Sequence, residues 1–166
     1  YWLHVALLDT GDEKMSSSLQ NYFTVQNALA EFGPNPVRTF LLSASYRSRQ
    51  SYTEAAIKEA IERWETLERA YDRAVEAADS PDARTFVEDP ELRATVEETE
   101  ADFAAAMDDD FNTRGALVTL DDLAGAVNRH VDGRTEYDYR GLRRAIEAFE
   151  ELGGDVLGFQ FGAVSS

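Results

Sequence analysis

The chain has 166 residues, no cysteine and two histidines, and its 32 acidic against 16 basic side chains leave a formal charge of -16. Disulfides and metal cages of thiolate or histidine are therefore excluded, so any metal would have to be held by oxygen. The charge also argues against a DNA-binding surface, which needs a basic patch to displace counterions from phosphate. In chain order, Tyr1 to Leu8 is an unbroken apolar and aromatic run that predicts a strand, an edge without its sheet. Thr10-Gly11-Asp12 signals a tight turn, and Lys14 with the hydroxyls of Ser16, Ser17 and Ser18 follows it. Thr24 is placed to cap a short helix carrying Val25, Ala28, Leu29 and Phe32 and ending at Gly33. Pro36 suits the first turn of a second helix with Val37, Phe40, Leu41 and Leu42.

From residue 51 helical periodicity takes over. Ser51 with Glu54 reads as a capping box, and Ile57, Ile61, Trp64, Leu67, Tyr71 and Val75 then recur at three- and four-residue steps. Asp79-Ser80-Pro81-Asp82 stops this long helix, and Asp89-Pro90 opens another with a stripe of Leu92, Val96, Phe103 and Met107. A third begins at Asn112 or Thr113 and turns Leu117, Leu120, Leu123, Ala124, Val127 and Val131 inward. The last runs from about Tyr139 through Leu142, Ile146, Phe149 and Leu152, with Gly153-Gly154 as its stop. The fold class this predicts is mainly α. Residues 1–50 hold a short strand, a loop and connecting helices, and residues 51–166 form an antiparallel bundle of about four helices.

Lys14 and Lys58 are the only lysines, which leaves two readings of the acidic balance. One is a protein that avoids RNA. The other is a protein of a high-salt cytoplasm, where acidic surfaces are general and say nothing of partners. The scarcity of lysine beside ample arginine favours the second. No apolar run approaches the roughly 20 residues of a membrane span. The start also lacks the basic-then-apolar order of a signal peptide, so the expectation is a cytoplasmic protein with no membrane partner.

By itself Lys14-Met15-Ser16-Ser17-Ser18 reads as a solvated polar loop as readily as a phosphate-binding one. Its setting is more specific: strand, turn, the pentapeptide, Leu19, Asn21, the aromatic pair Tyr22-Phe23 and a capped helix. This order resembles the KMSKS signature loop of class I aminoacyl-tRNA synthetases. "FLLSASYRS" at residues 40–48 and "AMDDDFNT" at residues 106–113 are similar to the corresponding segments of cysteinyl-tRNA synthetase. "YWLH" and "VLGF" fall in the right order toward the two ends, so the resemblance spans nearly the whole chain.

The resemblance implies that Lys14, Met15, Ser16, Ser17 and Ser18 close over the phosphates of ATP and its Mg. There, amides, hydroxyls and an ammonium stabilise the charge developing on pyrophosphate. It also implies a bundle of the DALR kind leaning on a cysteine-specific tRNA. The catalytic nucleotide-binding fold, with the cysteine pocket and its zinc, would precede residue 1 and act in cis, and a small anticodon-reading domain would follow residue 166. On this reading no metal is held here and the chain is inactive alone. Ser17 stands where the family has a second lysine, Gln20 and Ala6 where glycine is usual, and Arg114-Gly115 where Pro-Glu is usual. Two other readings stay open: a stand-alone synthetase-derived module that binds tRNA or a protein partner, and a ligase of the mycothiol-pathway type joining cysteine to a sugar amine.

Arg47 and Arg49 either contact tRNA backbone or brace carboxylates. Asp108, Asp109 and Asp110 look like a metal cluster, but adjacent aspartates point apart and precede a helix start that favours negative charge, so they are read as structural. Asn112 and Thr113 are read as caps, His4 as a packed histidine, Trp64 and Tyr71 as core, and His130 as a surface group at a helix end. Trp2, Leu3, Val5 and Leu7, without a sheet to cover them, would invite self-association through that edge.

Overall fold

Helix α1, Val25–Phe32, ends where Gly33 takes a left-handed backbone at φ 79°, and α2, Pro34–Leu42, starts at once. Pro34 and Pro36 both fall in the first turn, where no intrahelical donor is missed. The computed structural model describes residues 8–9 and 25–162. The strand expected before Leu8, His4, the turn and loop of residues 10–18, Gln20 and the Thr24 cap lie outside them. The chain divides into two units, Tyr1–Trp64 and Glu65–Ser166.

In the first unit β1, Leu8–Asp9, pairs in parallel with β2, Gln50–Ser51, setting Leu8 opposite Gln50 and Asp9 opposite Ser51. The ladder corrects the expected capping box, because Ser51 is used as strand. Helix α3, Glu54–Asp79, is capped instead by Thr53, whose Oγ1 accepts the Ala56 N–H at 3.1 Å. Phe40, Ile57 and Ala60 form the buried core here, with Phe32, Tyr52, Ala56 and Ile61 against it. The Gln50 amide donates to the Phe40 carbonyl at 2.5 Å and ties β2 to α2.

The second unit takes α3 from residue 65, then α4, Pro90–Asp108, α5, Thr113–Val131, and α6, Tyr139–Ala148. His130 near the end of α5 meets Asp89 at the start of α4, so these two run antiparallel. Arg144 of α6 reaches Glu100 of α4, and Arg73 of α3 reaches Asn128 and Asp132 at the end of α5. Direction therefore alternates around the bundle, and the fold is mainly α as the periodicity predicts. Leu92, Val96, Phe103, Leu117, Leu120, Leu123, Val127, Leu142, Ile146 and Phe149 fill its core. On α3 the buried face runs through Leu67, Ala70, Ala74, Ala77 and Ala78, while Tyr71 and Val75 only flank it. Four of these five are alanines, so bulk alone misplaces that stripe.

Two further details depart from expectation. Ala83–Arg84 and Tyr137–Asp138 form a second parallel ladder, β3 with β4. Gly153-Gly154 does not stop the last helix, which continues as a π-helical segment, Phe149–Val156, and ends at Leu157 before left-handed Gly158. A Cβ on Gly153 would lie 2.7 Å from the Phe161 ring, so the glycine gives that ring its place. No helix among the described residues is long and apolar enough to cross a membrane.

Candidate functional site

Lys14, Met15, Ser16, Ser17 and Ser18 lie outside the described residues, but the base of their loop does not. β1, which leads toward it, pairs with β2, and β2 directly follows the turn that carries Tyr46, Arg47 and Arg49. The ladder therefore sets Gln50 and Ser51 beside the strand that leads toward the loop. The hydroxyls near the end of α2 are spent on that helix: Thr39 Oγ1 donates to the Asn35 carbonyl at 2.9 Å and Ser43 Oγ to the Thr39 carbonyl at 2.6 Å. Arg47 is exposed, donates from Nε to the Tyr46 hydroxyl at 2.9 Å and sits 5.2 Å from that ring's centre, a cation–π contact. Arg49 is also exposed.

The second unit carries a buried polar network that corrects the surface placement expected of His130, which is 1% exposed. Its Nε2 accepts the Asp138 N–H at 3.0 Å, and its Nδ1 lies 2.8 Å from Asp89 Oδ2. A backbone N–H can only donate, so the ring proton is on Nδ1 and is given to Asp89. Asp89 caps α4, accepting the N–H groups of Glu91 and Leu92 at 3.0 and 3.1 Å. Asp138 caps α6 through Gly141 N–H at 2.9 Å and accepts the Asp89 N–H at 2.9 Å. Arg93 grips Asp138 with two bonds, Nε to Oδ2 at 2.7 Å and Nη2 to Oδ1 at 2.9 Å.

Burial alone would push both carboxyls up. At Asp138 the Arg93 guanidinium and two backbone N–H groups outweigh it and hold the carboxyl down at about 2. At Asp89 the His130 ring, the Leu92 N–H and Arg134 likewise leave it below the ordinary carboxylate range. Every buried side-chain nitrogen and oxygen among the described residues has a partner, so the network clamps the end of the bundle and offers no idle base. One part was legible in Asp89-Pro90; nothing around His130 in sequence signalled that α4, α5 and α6 converge on it.

The three aspartates sit in a tight corner. Asp108 ends α4, Asp109 caps it, and Asp110 and Phe111 are left-handed at φ 53° and 54°. Asn112 then caps α5, its Oδ1 accepting the Gly115 N–H at 2.9 Å, and Thr113 is the first residue of the helix. Among the described residues no group of three His, Asp or Glu side chains could hold a metal ion, and these residues do not fit zinc.

The two units correspond to two different similarities. Residues 1–62 match the family model of tRNA synthetases class I (C) catalytic domains, and residues 102–162 match the DALR domain. The relatives it matches are cysteine–tRNA ligases. The chain is 60% identical over 162 residues to the cysteine–tRNA ligase of Haloarcula marismortui, an overlap of 98% of this chain and 33% of that protein. It is 58% identical over 161 residues to the ligase of Halobacterium salinarum, covering 97% and 33%. Against that of Moorella thermoacetica it is 39% identical over 163 residues, covering 95% and 34%. The chain is thus a relative of the cysteine–tRNA ligases and spans about one third of the length of the curated relatives it matches. Two of these come from halophilic archaea, in agreement with the high-salt reading of the acidic composition.

Proposed function

We propose that the chain supplies the phosphate-closing loop and the tRNA-contacting helices of a cysteine–tRNA ligase. The observation that carries this is the match to such ligases over 98% of the chain at 60% identity. On this proposal Lys14 offers an ammonium, and Ser16, Ser17 and Ser18 offer hydroxyl donors, to the phosphates of ATP with its Mg. They stabilise the charge growing on the leaving pyrophosphate. Arg47 and Arg49, exposed beside the base of the loop, meet tRNA backbone. The cysteine pocket and its zinc belong to the length of the relatives that this chain does not span, and the site of action is the cytoplasm.

The test replaces the matching third of the Haloarcula marismortui ligase by residues 1–166 and measures cysteine-dependent pyrophosphate exchange and tRNA charging. The expected result is an active chimera, slowed about a hundredfold by Lys14→Ala, and no exchange by the 166-residue chain alone. A folded but inactive chimera, or turnover by the chain alone, overturns the proposal. Ser17 in the place of a family lysine favours a second reading, a synthetase-derived module that binds tRNA without catalysis. A chimera that becomes active only with Ser17→Lys would support it.

A further inference from the structure

The elements on either side of the segment that carries Lys14 are tied to one buried side chain, Phe40. Before that segment, β1 ends at Asp9, five residues ahead of Lys14, and pairs with β2. After it, α1 begins at Val25, and its last residue, Phe32, packs on the cluster of Phe40, Ile57 and Ala60. The chain at β2 meets the same Phe40 twice. The Gln50 amide donates to its carbonyl at 2.5 Å, and the Tyr52 ring meets its ring edge-on with centroids 5.8 Å apart.

This double attachment matters because the β1–β2 ladder joins only two residues on each strand, and so short an isolated pair is marginal in water. What holds β2 therefore decides where β1 lies. The Phe40 carbonyl is among those that the end of a helix leaves short of a full intrahelical partner. Only the Ser43 N–H approaches it within the helix end, at 3.2 Å, and that donor is shared with the Thr39 carbonyl at 3.0 Å. The Gln50 amide completes it. Gln50 is half-buried and polar, outside the apolar cluster, so removing its donor loosens β2 from α2 and leaves that cluster in place.

We infer that Gln50 is a positioning residue for the activation of cysteine by ATP: through Phe40 its amide fixes the strand that leads toward Lys14. It touches no reacting group. The inference rests on the proposed role of Lys14, whereas the attachment to Phe40 rests on the geometry of the described residues alone. Activation is sensitive to such placement, because an error of about 1 Å in a group that stabilises the transition state can cost up to about a hundredfold in rate.

The test is a double-mutant cycle in the chimeric ligase, read as cysteine-dependent pyrophosphate exchange. Gln50→Met keeps the length of the side chain and loses the donor. It should lower kcat about tenfold and leave the KM for cysteine unchanged. In the Lys14→Ala background it should cost nothing further, since groups that act as a unit are not additive. Gln50→Lys, which returns a donor of similar reach, should recover most of the rate. Should Gln50→Met fail to fold, Gln50→Asn, one methylene short of the carbonyl, takes its place in the cycle. An unchanged kcat in Gln50→Met beside a slow Lys14→Ala overturns the inference and leaves the proposed function standing. An equal loss in both backgrounds also overturns it, because Gln50 would then act independently of Lys14. A Lys14→Ala chimera of unimpaired rate overturns the phosphate role of Lys14 and the inference with it, as does a chimera that is inactive from the start.

Discussion

Protonating His130 on Nε2 would set a second N–H against that of Asp138, 3.0 Å away, so only the neutral ring serves both neighbours. His130→Leu leaves the Asp138 N–H and one Asp89 oxygen without that partner in a buried place. It should cost about 2–4 kcal/mol in urea denaturation; a loss below about 1 kcal/mol would mean that water replaces the ring. The two caps set the acid behaviour. Asp138 titrates at about 2 in the fold against an ordinary 3.8, and Asp89 is also depressed, so their stabilisation is complete above the ordinary value. It is lost as pH falls from 3.8 toward about 2. Thermal midpoints should drop as pH falls from about 4 toward about 2, and Asp138→Asn should shallow that part of the drop. An acid limb of unchanged steepness in the variant would refute the assignment.

At the scale of elements, Gly141 is bound to the same clamp. A Cβ there would lie 2.9 Å from Asp138 Oδ2 and 3.0 Å from Leu92 Cδ2, both held in place. Alanine's helix preference gains about 1 kcal/mol over glycine, and overpacking costs about 1–3 kcal/mol. Gly141→Ala should therefore lose about 1 kcal/mol on balance, read as a lower thermal midpoint; a higher one would show that the carboxylate yields. The helices themselves were legible because caps and periodicity act within a few residues. Asp89-Pro90 opens α4, Asn112 opens α5, and Tyr139 begins α6 where the pattern placed it. The misplaced signals involve contacts beyond the reach of a single helical turn. Ser51 was lost to a ladder with Asp9, the buried stripe of α3 runs through alanines, and Gly153 gives the Phe161 ring its place.

For the whole molecule the decisive quantity is the formal charge of -16. Like charges crowded on a folded surface repel, and salt screens them within about 10 Å at 0.1 M and about 3 Å at 1 M. The thermal midpoint should rise steadily with added KCl across that range, and a midpoint that falls would mean that paired charges outweigh the repulsion. Periodicity, caps and short motifs by themselves determined the mainly helical fold and the resemblance, because each depends on neighbours close along the chain, and composition fixed the acidic balance. Only the tertiary structure decided that His130 is buried between two helix caps, that β2 lies against the strand entering the loop, and that Arg93 shares a cleft with Arg140 and Arg143. Those arrangements arise when helices far apart in sequence pack on one another. Local propensity does not encode which polar groups that packing brings together or leaves open.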